Sequence, residues 1–286
     1  MNRFSLTYLG LFLLLLSVLS FFNIIYSYYF NLYLNIDAYI YTLIISLFLG
    51  FTFLIKKKTD SKISIYIKIL TLITGYLILP LIISIPYYLS IYNISYLNCF
   101  FEAVSGFTST GFTIFENIKH IDESLILWRS SSQWIGGIYF LFSIILLIDI
   151  FDDNLKKSLT NYISFNSAEI FKQSLKILLL YSILTLFLFI VLKLINIRTF
   201  DSFNLSMTII SSGGFLPFNN IDLIINSDLK KIVFSILMLF SFFSLFLTYN
   251  FFYLKKKNLN FFAEDIYLFI YLIFLIIVFF VFFNFD

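Results

Sequence analysis

Thr108-Ser109-Thr110-Gly111-Phe112 and Ser211-Ser212-Gly213-Gly214-Phe215 are two runs of small hydroxyl residues that pass into glycine and end on phenylalanine. Each follows a short amphipathic stretch and lies between long apolar segments. In a very hydrophobic chain, a polar glycine loop between membrane spans is a place where an ion can shed its water. Two such loops imply an internally repeated pore.

The bulk composition agrees. Of 286 residues, 60% are hydrophobic, 22% aromatic and 12% charged, with mean hydropathy +0.96. A soluble domain carries about 25% charged residues, so a water-soluble fold is excluded. Apolar runs of about 20 residues recur, the length an α-helix needs to cross a hydrocarbon core of about 30 Å. The runs do not alternate as the strands of a membrane barrel do. The expected class is an all-α polytopic membrane protein, with about seven transmembrane helices and two re-entrant pore half-helices. Cys99 and His120 are single, so neither an intrachain disulfide nor a Cys/His metal site is expected. No nucleophile–base–orienter set and no phosphate-cradling glycine loop is present, which argues against an enzyme. A net charge of +3 gives no reason to expect a nucleic-acid partner.

Spans are expected at 8–30, 39–55, 69–89, 125–150, 175–195, 232–254 and 266–283, with the short segments 96–107 and 200–210 re-entering before each glycine loop. The apolar part of the first run exceeds the roughly 7–15 residues of a signal peptide's core, and no small-x-small site follows, so it reads as a retained span. Pro80 and Pro86 lie inside the third and are tolerated where neighbours re-satisfy the freed carbonyls. Gly111 and Gly213, about 100 residues apart, each sit in a span, half-helix, loop, span unit. The expected organisation is two leading helices (1–62), a first unit (63–155), a second unit (156–257) and the start of an incomplete third (258–286).

Arg3, Lys56–Lys58 with Lys62 and Lys68, Lys156, Lys157, Lys172, Lys176 and Lys255–Lys257 fall on alternate loops. The positive-inside rule makes these cytoplasmic. The N-terminus is then inside, the C-terminus outside, and both glycine loops open outward. The lysine clusters also suit anionic lipid or a regulatory ring.

Backbone at membrane depth is tolerated only where protein covers it or a water-filled cavity meets it. Carbonyls there can replace an ion's hydration shell, and serine and threonine hydroxyls add oxygens. Glycine lets the chain turn its carbonyls inward, often at positive φ. The half-helix before each loop points its partly negative C-terminal end at the cavity, which favours a cation.

The stretch Phe101-Glu102-Ala103-Val104-Ser105-Gly106-Phe107-Thr108-Ser109-Thr110-Gly111-Phe112 resembles the first pore segment of the TrkH/KtrB superfamily of potassium transporters. Trp128-Arg129-Ser130-Ser131-Ser132-Gln133-Trp134-Ile135-Gly136-Gly137 is similar to the start of the helix that follows it there. Phe200-Asp201-Ser202-Phe203-Asn204 and Ser211-Ser212-Gly213-Gly214-Phe215 resemble the second pore segment, with serine where threonine is common. The resemblance implies four span–pore–span units around one pore that carries K⁺, in some members with Na⁺ or H⁺ coupling. It also implies no organic cofactor, a bacterial inner-membrane location, and gating by a cytosolic nucleotide-binding ring of the TrkA/KtrA type. The filter would use Ser109, Thr110 and Gly111 from one unit and Ser211, Ser212 and Gly213 from the next.

Only two units are legible, with the start of a third entered from Glu264-Asp265. The missing loops would come from a second chain or a second copy, or the gene is split or truncated. The alternative to a potassium-uptake subunit is a degenerate homologue that at most binds partners in the membrane. A secondary transporter with inverted repeats fits less well, because both units share one orientation.

Glu102 and Asp201 precede the half-spans at matched distances on this reading. They either concentrate cations at the pore mouth or stabilise helix N-termini. Arg129 and Gln133 lie one turn apart near a helix start. Arg129 is either a functional intramembrane charge or a side chain that snorkels to the surface. Gly136-Gly137 suits close helix packing or gating. His120 reads as a solvated loop residue, and Asp149, Asp152 and Asp153 as the end of a span.

Overall fold

A computed structural model describes residues 3–55, 65–147, 167–239, 267, 270–275, 277 and 278. The chain divides into two bodies, Met1–Phe242 and Phe243–Asp286. In the second body, residues 270–275 are helical. The clusters Lys56–Lys58 and Lys255–Lys257, with Lys62, Lys156, Lys157, Asp149, Asp152, Asp153, Glu264 and Asp265, lie outside the described residues.

In the first body the order is α1 (Arg3–Tyr29), α2 (Ile36–Leu54), α3 (Ile65–Ser90), α4 (Tyr96–Phe107), α5 (Glu123–Leu147), α6 (Ser167–Leu194) and α7 (Thr199–Ile210). A further helix, α8, covers 228–239. Among the described residues, four helices are long and apolar enough to cross a membrane: Leu6–Tyr29, Tyr33–Leu54, Tyr66–Ser90 and Ile177–Leu194. At 25 residues, α5 is about 37 Å long, but its polar run Arg129–Gln133 lowers its hydropathy. That run is buried, as are the apolar residues Leu125–Trp128 before it and Trp134 and Ile135 after it, so protein encloses this part of the helix on all sides. The chain is an all-helical multi-pass membrane protein, in which α4 and α7, twelve residues each, are too short to span.

Inside a bilayer, helices gain nothing by hiding apolar surface from water, so contact rests on small residues and hydrogen bonds. Gly10 on α1 and Gly50 on α2 mark one such crossing: a Cβ on Gly10 would stand 3.1 Å from the Gly50 carbonyl oxygen. The leading pair then fastens to the N-terminal end of α5. Asn23 Nδ2 donates to the Ser124 carbonyl (3.1 Å), Asn35 Nδ2 to Asp122 Oδ2 (3.0 Å) and Tyr39 Oη to Ser124 Oγ (3.1 Å). In α3, Trp128 Nε1 reaches the Ile83 carbonyl at 3.0 Å, between Pro80 and Pro86. Helix α5 packs on both half-helices, α4 and α7, and is the wall they share.

The repeat runs at a fixed interval of 103 positions. Asn93 and Asn196 both take positive φ, 65° and 59°. The half-helix caps are Ser95 and Arg198. The 3-10 turns Ile118–His120 and Ile221–Leu223 follow in step. Two helical hairpins with their loops are thus built to one template.

Candidate functional site

Both half-helices end in the same way. The Ser109 N–H donates to the Gly106 carbonyl (3.0 Å) and the Thr110 N–H to Ser105 (3.0 Å). Ser212 donates to Ile209 (3.0 Å) and Gly213 to Thr208 (2.8 Å). This paired pattern is the Schellman termination, which needs a left-handed residue just past the cap. Glycine usually fills that place, but here Ser109 and Ser212 do, with φ of 54° and 53°. A hydroxyl then locks the far side of each loop: Ser105 Oγ donates to the Phe112 carbonyl (2.5 Å) and Thr208 Oγ1 to the Phe215 carbonyl (3.1 Å).

This folding directs the loop N–H groups back toward the half-helix. Among the described residues, no hydrogen bond is accepted by the backbone carbonyls of Ser109, Thr110, Gly111, Ser212, Gly213 or Gly214. The two loops meet at their glycines. A Cβ on Gly111, whose φ is +82°, would lie 2.6 Å from Gly214 Cα, so no other residue fits without parting the loops. Further along, Asn219 ties the segments that follow: its Oδ1 accepts from the Ile118 N–H (2.7 Å) and its Nδ2 donates to the Glu116 carbonyl (2.9 Å).

One face of α5 supports both loops. Arg129, 1% exposed, pairs through Nε with Glu102 Oε1 at 2.9 Å, and Glu102 is fully buried. Arg129 Nη2 donates to Thr113 Oγ1 (3.0 Å), Thr113 Oγ1 donates to Glu102 Oε1 (3.0 Å), and the Ile114 N–H donates to Glu102 Oε2 (3.0 Å). Arg129 Nη1 has no hydrogen-bond partner among the described residues. The guanidinium carbon lies 4.2 Å from the centre of the Phe215 ring and 5.3 Å from that of Phe115. The negative ring faces stand in for the missing acceptor.

One turn on, the Gln133 carboxamide serves the second loop. With its oxygen toward the backbone it accepts from the Gly214 and Phe215 N–H groups, both at 3.0 Å, and its nitrogen donates to Thr208 Oγ1 at 3.2 Å. Gly136 and Gly137 then let the half-helix ends touch α5: a Cβ on Gly136 would strike Phe107, and one on Gly137 would stand 2.9 Å from the Ser211 Cβ. Among the described residues, their contacts are those of close packing.

The sequence-derived site needs three corrections. First, the 103-position interval makes Ser212, Gly213 and Gly214 the counterparts of Ser109, Thr110 and Gly111. Ser211 matches Thr108 instead; it caps the half-helix and turns its hydroxyl back to the Met207 (2.9 Å) and Thr208 (3.0 Å) carbonyls. Second, Glu102 is not at a helix start. It lies mid-helix in α4 and is counterpart to Leu205, whereas Asp201 occupies the first turn of α7. Third, Arg129 does not snorkel, because a buried carboxylate holds it inside. The second motif includes Phe215 but does not show that its ring lies on Arg129, and nothing local in the sequence marks Thr113 or Asn219.

At the start of α7, Arg198 Nη2 donates to Glu123 Oε1 at 2.6 Å, and Tyr26 Oη donates to Glu123 Oε2 at 2.9 Å. The Glu123 bond holds the Arg198 guanidinium above its ordinary value. Asp201 is 4% exposed, and its Oδ1 has no partner among the described residues. Burial raises its carboxyl pKa, against the opposing pull of Arg198. His120 is exposed. Among the described residues, no group of three or more His, Cys, Asp or Glu side chains could hold a metal ion.

No protein-family model matches the chain. Over 221 residues it is 29% identical to the uncharacterized cation transporter MJ1485 of Methanocaldococcus jannaschii, an alignment covering 73% of this chain and 44% of that protein. It is 39% identical over 66 residues to the Trk system potassium uptake protein TrkI of Halomonas elongata, covering 23% of this chain and 12% of that one. Its fold is similar to the crystal structure of the potassium transporter TrkH from Vibrio parahaemolyticus, with TM-score 0.58 and 20% identity over 81% of this chain and 48% of that chain. The chain therefore spans less than half the length of each of these proteins. Sequence and fold agree in one likeness: the chain is similar in sequence to parts of two cation transporters and in fold to part of the potassium transporter TrkH.

Proposed function

We propose that the chain is a subunit of a potassium-uptake system, contributing two of the loops that strip water from K⁺. One observation carries the reading: among the described residues, six backbone carbonyls accept no hydrogen bond, and they belong to two loops of the same form that meet at Gly111 and Gly214. Such oxygens suit a dehydrated monovalent cation, and the relatives named for cation or potassium transport point the same way.

Two loops line only part of a ring, and further pore units complete it. The chain works without an organic cofactor and does no covalent chemistry. It sits in a bacterial inner membrane with its N-terminus inside and its loops facing out. A cytosolic ring of the TrkA/KtrA type docks below.

The test is Gly111→Ser in a complex restored to four units. Na⁺ should compete better with K⁺, and unchanged relative uptake would sink the assignment. Growth at low K⁺ of a potassium-uptake-deficient strain carrying this chain alone would show that two loops suffice. A complex with four units that restores no growth would favour a binding role without transport.

A further inference from the structure

Two oxygens on one face of α7 are buried without a donor. Asp201 is 4% exposed and Asn204 fully buried, and neither Asp201 Oδ1 nor Asn204 Oδ1 has a hydrogen-bond partner among the described residues. Three positions apart on a helix, the two side chains are neighbours. Asn204 Nδ2 donates to the Phe200 carbonyl at 2.8 Å, which fixes the amide so that its free end is oxygen. The hydroxyls beside them are spent, Ser202 Oγ on the Ile197 carbonyl (3.3 Å) and Ser206 Oγ on the Phe203 carbonyl (2.8 Å). Helix α1 reaches the same corner, where the Tyr26 ring stacks on Phe200 at 5.8 Å and Asn23 Nδ2 donates to the Ser124 carbonyl of α5. There Asn23 Oδ1 and Ser27 Oγ are also buried and unpartnered among the described residues.

The neighbouring positive charge is committed elsewhere. Arg198 gives its Nη2 to Glu123, and although its field reaches Asp201, so does the opposing field of Glu123. Water can donate to buried oxygens, but it leaves the charge of a carboxylate in place. A bound cation satisfies the oxygens and the charge together. One carboxylate among neutral oxygens matches a single positive charge, whereas a divalent ion gathers more carboxylates. We propose that Asp201 Oδ1 and Asn204 Oδ1 ligate a monovalent alkali cation at the corner where α1, α5 and α7 meet. Asp201 stands about 15 Å along α7 from Ser211, so this cation is separate from any held at the glycine loops. The site belongs to the second unit alone, because the counterparts Asn98 and Phe101 in the first are exposed.

The experiment follows thermal unfolding of the full chain, purified in detergent at neutral pH, in NaCl, KCl or choline chloride at equal ionic strength. A cation bound by the folded state alone raises the midpoint with the logarithm of its concentration. NaCl or KCl should raise the wild-type midpoint above that in choline chloride, and Asp201→Asn should abolish the rise. No rise with either salt means that water or a proton serves the two oxygens, and overturns the proposal. A rise that survives Asp201→Asn puts the cation elsewhere, at the glycine loops for instance, and overturns it as well.

Two further readings guard against misfolding. In choline chloride, Asp201→Asn should unfold no lower than the wild type, since it removes a buried charge that nothing there compensates. A lower midpoint would make Asp201 a helix-start stabiliser and count against the site. Asn204→Asp tests the same pair by gain: a second carboxylate should tighten the apparent dissociation constant of the stabilising cation about tenfold or more. An unchanged or weaker constant overturns the assignment of Asn204. Ion flux enters none of these readouts, so the site and the transport reading stand or fall separately.

Discussion

Ser109 and Ser212, 103 positions apart, hold the same left-handed backbone, with φ of 54° and 53°. Each closes a half-helix by the same pair of hydrogen bonds. An L-residue pays about 1 kcal/mol for that conformation where glycine pays little. Ser109→Gly and Ser212→Gly should each raise stability by about 0.5–1 kcal/mol, and Ser212→Val should lower it by at least about 1 kcal/mol. Denaturant unfolding of the purified chain in detergent measures both. Valine and glycine variants of equal stability would show that the turn is not under this constraint.

The glycines at the meeting of the loops are not equivalent. A Cβ on Gly111 would press Gly214 at 2.6 Å from a positive φ, whereas one on Gly214 would stand 3.1 Å from Gly111 without that backbone demand. Gly111→Ala is expected to cost about 1–3 kcal/mol and Gly214→Ala less. Thermal unfolding of the two variants gives the order, and a reversed order would mean that the loops do not touch there.

The Glu102–Arg129 pair separates stability from loop order. Removing one partner leaves a buried charge alone, at about 3–5 kcal/mol, while replacing both with apolar residues is often near neutral. Glu102→Leu with Arg129→Ile copies the second unit, which has Leu205 and Ile232 in those places. The double variant should be more stable than Glu102→Leu alone. Even so, the Ile114 N–H loses its acceptor, so hydrogen exchange at 113–116 should rise. A double variant as unstable as the single would place the cost in shape instead of charge.

Asp201 gives a pH dependence of defined sign. Burial raises its carboxyl pKa above 3.8, so the folded state holds that proton more tightly than the unfolded state. The stability contribution therefore falls as pH rises from the ordinary value through the folded one, and stays low above it. Asp201→Asn cannot ionise. Its unfolding midpoint should match the wild type near pH 4 and exceed it at pH 7. A gap that narrows with rising pH would contradict this.

Much of this fold is legible in the chain because spanning a bilayer demands long apolar runs, and the half-helices stand out by being too short. The glycine loops are legible because hydroxyls and glycines are rare neighbours in so apolar a sequence. The register within the second loop is not. Ser211-Ser212-Gly213 looks like Ser109-Thr110-Gly111 by chemistry, but the backbone follows the helix end, and the cap at Ser211 shifts the match by one. Glu102 and Arg129 are 27 positions apart on different helices, so their pairing appears only once α4 packs on α5. The same holds for Gln133, whose partners lie 75 to 82 positions away.

Gly136 and Gly137 are successive residues, and successive residues on an α-helix face directions about 100° apart. One bares α5 toward the end of the first half-helix and the other toward the end of the second. This dipeptide therefore acts as a corner piece, turning the path from one half-helix to the next through roughly a quarter of a circle. An alanine at either place would push one half-helix end off α5 and open that angle.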